Sequence, residues 1–271
     1  MKKLVIKSRL YKVIFGVVLV VALISGGILF YLTLVETMPQ KSISLFDEIP
    51  LPKAGERILV FSPHPDDESL AAGGFIAESV GAGAIVKIVL VTDGNKHGKK
   101  ETRYTEFKKA TGALGVSPEN LAYLNYPDGS LSKTDPTELD NSLKSQIESF
   151  GPEIIVYPAS LDEHPDHKKV GQTVWEIIRN QRLRVFSYQY LVHSNYYPQP
   201  RRFDLNDYLL PPVKILNTYN WNKLMLSSDA EFRKNEAVRE YKSQLRTPIL
   251  KSLMLSLVRK NELFIVTKTG E

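Results

Sequence analysis

Two kinds of apolar pattern run along the chain. The first is one unbroken stretch, VIFGVVLVVALISGGILFYLTLV at 13–35, with no charged residue. A helix crosses a bilayer with about 20 such residues, so this stretch is long enough to span one. Beyond residue 56 the pattern changes to short apolar runs separated by amphipathic stretches. RILVFS (57–62), VKIVLVT (86–92), LAYL (121–124), EIIVY (153–157) and 185–192 predict strands. The stretches at 69–80, 102–114, 137–150 and 166–179 predict helices between them. A Pro- and Tyr-rich segment at 196–212 precedes a predicted helix near 230–245 and a last strand at 263–268. Continuous apolar runs alternating with helices mean strands buried on both faces. The expected body is therefore α/β, a mostly parallel sheet flanked by helices in the Rossmann-like manner.

The charge distribution changes how the first stretch is read. The chain carries a formal +5, but Lys2, Lys3, Lys7, Arg9 and Lys12 all precede the apolar run, with no acid among them. With those five set aside, the remaining basic and acidic residues balance at 30 each. Nucleic-acid binding is not expected of a neutral body. The flank instead fits the positive-inside rule, holding residues 1–12 in the cytoplasm and exporting the C-terminal body. A cleaved signal peptide is the competing reading, but its apolar core usually runs about 7–15 residues and ends at small residues. Here the run is longer and leaves through Phe30, Tyr31, Leu32 and Leu34. The expectation is a single-pass anchor at 13–35, a tether at 36–55 containing three prolines, and an extracytoplasmic domain at 56–271.

Candidate chemistry is concentrated in two clusters that come after predicted strands. His64-Pro65-Asp66-Asp67-Glu68 comes after the first strand of the body, and His164-Pro165-Asp166-His167, preceded by Asp162, comes after EIIVYP. In open α/β sheets the working loops lie at the carboxyl ends of strands. Acids in a first helical turn are favoured by the helix dipole, and Glu68 is accounted for that way. That explanation does not cover His64 beside a proline-fixed turn. The chain has no cysteine, so any metal must be held by histidine and carboxylate. Three of the five histidines lie in these clusters. His97 and His193 are read as surface or satisfied core residues. A His/His/carboxylate set is a reasonable tetrahedral zinc site with one position open.

PHPDDE followed by a helix, with HPDH about a hundred residues later, resembles the PIG-L/LmbE family of zinc-dependent N-acetylglucosaminyl deacetylases. Thr92-Asp93-Gly94, Arg103-x-x-Glu106, Tyr126-Pro127-Asp128-Gly129 and KNEAVREYKSQ (234–244) extend the resemblance over roughly residues 56–245. The resemblance implies an LmbE-type fold with His64, Asp67 and His167 as zinc ligands. It also implies Asp66 as general base and His164 as oxyanion stabiliser or proton donor. Arg103 and Asp128 correspond to sugar-contacting positions, though a surface Arg–Glu pair and a Pro-Asp-Gly turn explain them equally. Asp166 is read as a partner orienting a histidine or as a solvated acid. Some members carry an aromatic residue where this chain has Asp162.

The implied activity is zinc-dependent removal of an N-acetyl group from an N-acetylglucosamine-containing substrate. An exported domain would meet envelope glycans or lipid-linked sugars. Two rivals stand beside it: a zinc amidase acting on a non-sugar N-acyl substrate, and a tethered carbohydrate-binding protein without turnover. Asp66 beside a full ligand set argues against the second, because a binder needs no base.

Overall fold

The computed structural model describes residues 2–34, 37–96, 98–195, 197–198 and 204–268, so His97 lies outside the described residues. The chain divides into two compact units, Met1–Thr37 and Met38–Glu271. The first is a helix, α1 (Lys2–Leu34). Its window Tyr11–Ile28 has a mean hydropathy of 2.2, long and apolar enough to cross a membrane, a test that a signal sequence also passes.

The second unit is built on one eight-stranded sheet. Its strands are β1 (Asp47–Glu48), β2 (Arg57–Ser62), β3 (Ile85–Thr92), β4 (Leu121–Tyr126), β5 (Ile154–Pro158), β6 (Phe186–Tyr190), β7 (Trp221–Met225) and β8 (Asn261–Lys268). Their spatial order is β1-β7-β8-β6-β5-β2-β3-β4. Every pairing is parallel except those of β8, which runs antiparallel to both β6 and β7. The mostly parallel sheet expected from the apolar runs is present. In β2, Ile58, Leu59, Val60 and Phe61 are all fully buried, as a strand covered on both faces requires.

Helices α2 (Asp67–Gly81), α3 (Lys100–Ala113) and α6 (Ser228–Glu240) pack together on one face. Helices α4 (Pro136–Phe150) and α5 (Pro165–Asn180) pack on the other. Local sequence sets their ends. The Asp135 carboxylate accepts from the Thr137 amide with Pro136 at the first position, and α4 stops at Gly151 in a left-handed conformation. Ser227 caps α6 in the same way through the Ala230 amide.

Three parts of this unit differ from the sequence pattern. The helix expected at 230–245 ends at Glu240, because Tyr241 turns inward to reach Glu68, and a short helix α7 (Pro248–Leu255) comes next. The stretch expected as a tether is partly laid onto the body: β1 pairs with β7, and Ile49 is buried. Strand β7 adds a strand that the periodicity does not signal.

Candidate active site

The chain builds β3 and β4 onto one side of β2, then crosses to place β5 and β6 on the other. Such a switch point opens a crevice at the carboxyl ends of the two central strands. The PHPDDE turn leaves β2 and the HPDH segment comes after β5, so both clusters meet in that crevice.

The PHPDDE turn is held from several sides. Asp66 has φ 135° and ψ −28°, a backbone conformation that side chains with a Cβ rarely adopt. Arg103 Nη2 donates to the Pro65 carbonyl and to Asp66 Oδ2, the latter at 2.8 Å. Glu68 is fully buried and accepts from Ser62 Oγ at 3.0 Å, Ser69 Oγ at 2.6 Å, the Asp66 amide at 3.3 Å and the Tyr241 hydroxyl. It is therefore a buried anchor of the turn, more than an acid favoured by a helix dipole. On the opposite side, a Cβ at Gly171 would lie 2.3 Å from the Pro158 carbonyl. Only glycine lets α5 sit this close to the end of β5, and this closeness sets the position of the HPDH segment.

His64 Nδ1, Asp67 Oδ2 and His167 Nε2 form a triangle with sides of 3.2, 2.9 and 3.3 Å. All three residues are buried. A tetrahedral ion with bonds of about 2.0–2.2 Å separates its ligand atoms by roughly 3.3–3.6 Å, so the triangle is close to the size a small divalent cation needs. Overlapping sets, His64–His164–His167, Asp67–His167–His193 and His64–Asp128–Asp166, also bring possible ligand atoms within 4.8 Å. The His64–Asp67–His167 triangle has every side at 3.3 Å or less, and all three of its residues are buried.

Each imidazole has a carboxylate behind it. His64 Nε2 lies 3.1 Å from Asp166 Oδ2 and 3.4 Å from Asp128 Oδ1. Asp166 is fixed in turn by the Gly129 and Leu131 amides at 2.7 and 3.1 Å. His167 Nδ1 lies 3.2 Å from Asp162 Oδ2, and Asp162 also accepts from the His164, Val192 and His193 amides. Burial opposes charge on both rings, yet Asp166 and Asp67 raise His64 to about 9, and Asp67 and Asp162 raise His167 to about 10. Against its own burial, Asp67 is held well below the usual carboxylate range by His167 and His64. Buried carboxylates that draw protons onto two neighbouring imidazoles mark a place suited to positive charge.

Asp66 and His164 face the open side, in a cleft also lined by Lys96, Arg103, Asp128, His193, Gln244 and Leu250. Burial pushes Asp66 up to about 7, against the pull of the Arg103 guanidinium. Burial, together with the nearby His64, His167 and His193, holds His164 down to about 4.

Comparison with known proteins agrees with this architecture. Residues 59–178 match the PIG-L family, described as GlcNAc-PI de-N-acetylase. The chain carries a PIG-L domain. It is 29% identical over 140 residues to a probable N-acetyl-alpha-D-glucosaminyl L-malate deacetylase 2 of Bacillus anthracis, a match covering 46% of this chain and 61% of that one. It is 26% identical over 201 residues to the diacetylchitobiose deacetylase of Thermococcus kodakarensis, covering 70% of each. Among solved structures, the N,N'-diacetylchitobiose deacetylase from Pyrococcus horikoshii superposes with a TM-score of 0.57 at 20% identity, over 79% of this chain and 84% of that one. That likeness is one of fold.

The PIG-L domain brings together every site residue singled out in the sequence: His64, Asp66, Asp67, Arg103, Asp128, His164, Asp166 and His167. Four further residues to which the sequence reading gave no role at the site also reach it. Asp162 braces His167, and His193 packs its ring 4.5 Å from that of His167 and lines the cleft instead of standing apart on the surface or in the core. Lys96 lines the cleft from the loop after β3 and Leu250 from α7, and both approaches depend on the fold. Tyr241 had a signal, the KNEAVREYKSQ match, but its partner Glu68 becomes visible only in three dimensions.

Proposed function

We propose that this PIG-L domain is a zinc-dependent hydrolase that removes the N-acetyl group from an N-acetylglucosamine-containing substrate, working outside a membrane crossed by α1. The observation carrying the reading is the buried triangle of His64, Asp67 and His167 with a carboxylate and a histidine beside it on the open side. Those three residues would hold zinc, which supplies Lewis acidity towards an amide carbonyl when bound.

Asp66 is the base. It borders the cleft, and its burial strengthens it as a proton acceptor for the attacking water. His164 is the donor to the developing oxyanion. Its Nδ1 accepts from the Asp166 amide at 3.3 Å, which leaves the proton of a neutral ring on Nε2. A pKa near 4 keeps that ring neutral, so it donates a hydrogen bond without surrendering a proton. The proton that Asp66 takes from water is then the one passed to the departing nitrogen.

Arg103 and Asp128 take the sugar. Both side chains border the cleft beside Asp66, where a substrate hydroxyl would meet them. The cleft, about 180 Å³, is below the ~300–1,000 Å³ of pockets that enclose a drug-sized molecule. One ring enters and the rest of the substrate stays outside. The relatives from Bacillus anthracis and Thermococcus kodakarensis are named for N-acetylglucosamine derivatives, which supports the sugar reading.

The test is acetate release by the full-length protein from a panel of N-acetylglucosaminides, with and without a chelator. Acetate is expected from at least one glycan, with loss on chelation and recovery with zinc. Hydrolysis confined to N-acyl compounds lacking a sugar would overturn the substrate assignment.

A further inference from the structure

His193 lines the cleft, and no step of the hydrolysis uses it. Its backbone is pinned on both sides. The His193 amide donates to Asp162 Oδ2 at 2.9 Å, and its carbonyl accepts from the Glu163 amide at 2.8 Å. The ring is held too, with Nδ1 3.6 Å from Oδ1 of the fully buried Asp162. The next two residues are tied to the same segment. Glu163 Oε1 accepts from the Asn195 amide at 3.0 Å and from the Ser194 hydroxyl at 3.4 Å. The loop after β6 is thus strapped to the HPDH segment, and the strap holds the His193 ring in the cleft wall.

The contacts show which end of the site that wall closes. Asp128 Oδ1 lies 3.4 Å from His64 Nε2, His64 Nδ1 lies 3.3 Å from His167 Nε2, and His167 Nδ1 lies 3.2 Å from Asp162 Oδ2. Each imidazole turns one nitrogen to one neighbour and its other nitrogen to the next. The four side chains therefore form a row, with Asp128 at one end and Asp162 at the other. His193 stands at the Asp162 end, its ring 4.5 Å from that of His167 and perpendicular to it. His164 lies between the ends, its ring 4.6 Å from that of His64 and 5.1 Å from that of His193.

An amide is planar, so oxygen, nitrogen and the methyl group leave the carbonyl carbon in three directions in one plane. The oxygen turns to the triangle and His164. The nitrogen carries the sugar, which lies at the Asp128 end. The methyl group is left pointing to the Asp162 end, where His193 stands.

We propose that His193 is the wall that limits the acyl group to acetyl. The inference rests on the deacetylase reading of the same site and adds the residue that sets which acyl group leaves. A ring fixed by a buried carboxylate and two backbone hydrogen bonds rejects a longer chain by an overlap that neither side can relax. Its contribution is shape, not proton transfer.

The test gives the full-length protein the same panel of glucosaminides, N-acylated with acetyl, propionyl or butyryl groups, and compares kcat/KM from the acid released. Wild type is expected to favour acetyl over propionyl by about 10–200-fold, the usual worth of one methylene against a fixed pocket. His193→Ala opens the wall and should cut that ratio by at least about tenfold. His193→Phe keeps a ring of similar breadth and should preserve the wild-type order of the three amides. Zinc affinity of both variants, read by competition with a chromophoric chelator, should match that of wild type. A fall in zinc affinity would make His193 a ligand or a brace of the metal site and overturn the wall. An unchanged ratio in His193→Ala, loss of the order in His193→Phe, or equal turnover of all three amides by wild type would overturn it as well. Release of no acid from any member of the panel would remove the deacetylase reading, and the wall with it.

Discussion

Asp66 sits at φ 135°, a conformation that costs about 1–3 kcal/mol for a residue with a Cβ. The surrounding bonds from Arg103 and Glu68 hold it there, which suits a residue whose carboxylate must be aimed. Asp66→Asn keeps the shape and removes the base. It is expected to lower acetate release by about 10²–10⁴-fold, the usual contribution of general acid–base catalysis. Zinc content, measured by elemental analysis, should not change. Asp162 predicts the opposite split. It touches His167 on the side away from the triangle, so Asp162→Asn should weaken metal binding by about 10–100-fold, as loss of a ligand's hydrogen-bonding partner typically does. Competition with a chromophoric chelator reads this directly, and equal affinities for wild type and variant would refute the bracing role. These two aspartates also mark what could be read in advance. Asp66 was legible because histidine and acids crowd one turn of sequence. Asp162 stood out only as an acid in an aromatic position, since its donors, the Val192 and His193 amides, come from the loop after β6.

At the scale of elements, the strands and helices between residues 57 and 190 were legible because a parallel sheet buried on both faces writes itself as apolar runs. β1 was not legible. It is two acidic residues, Asp47 and Glu48, both exposed, and only backbone pairing with β7 makes it a strand. α7 was hidden by its brevity and by its start at Pro248. Two substitutions test how elements hold the site. Gly171→Ala would place a methyl group against the Pro158 carbonyl, where only backbone can give way. Overpacking of this kind costs about 1–3 kcal/mol, and because α5 carries His167, metal affinity should fall together with the denaturant midpoint. Lys234 and Glu262 form a buried pair at 2.7 Å that ties α6 to β8, and Glu262 also accepts from the Gly74 and Phe75 amides of α2. Lys234→Met leaves that carboxylate buried without its cation and should destabilise the fold by about 3–5 kcal/mol. Adding Glu262→Gln should restore part of the loss in a double-mutant cycle, and simple additivity would show that the two residues act separately.

For the whole molecule, metal, fold and membrane address come together. A buried site that collects Asp67, Asp162 and Asp166 around two imidazoles is held together better with a cation than without one. A ligand that binds only the folded state stabilises it by about 2.7 kcal/mol at a concentration one hundred times its Kd. Chelation should therefore lower the melting temperature of the full-length protein, and zinc should restore it. An unchanged melting curve would argue that the triangle holds no metal in solution. The apolar span and its basic flank were the most legible features of the sequence, yet composition alone does not orient a helix in a membrane. The proposed orientation rests on charge: five basic residues precede the apolar run and the rest of the chain is formally neutral. A cysteine at Glu119 should thus react with a membrane-impermeant maleimide on intact cells, and one at Ser8 only after permeabilisation. The reverse pattern would put the catalytic cleft in the cytoplasm. It would then face soluble N-acetylglucosamine derivatives, and a substrate outside the membrane would be out of its reach.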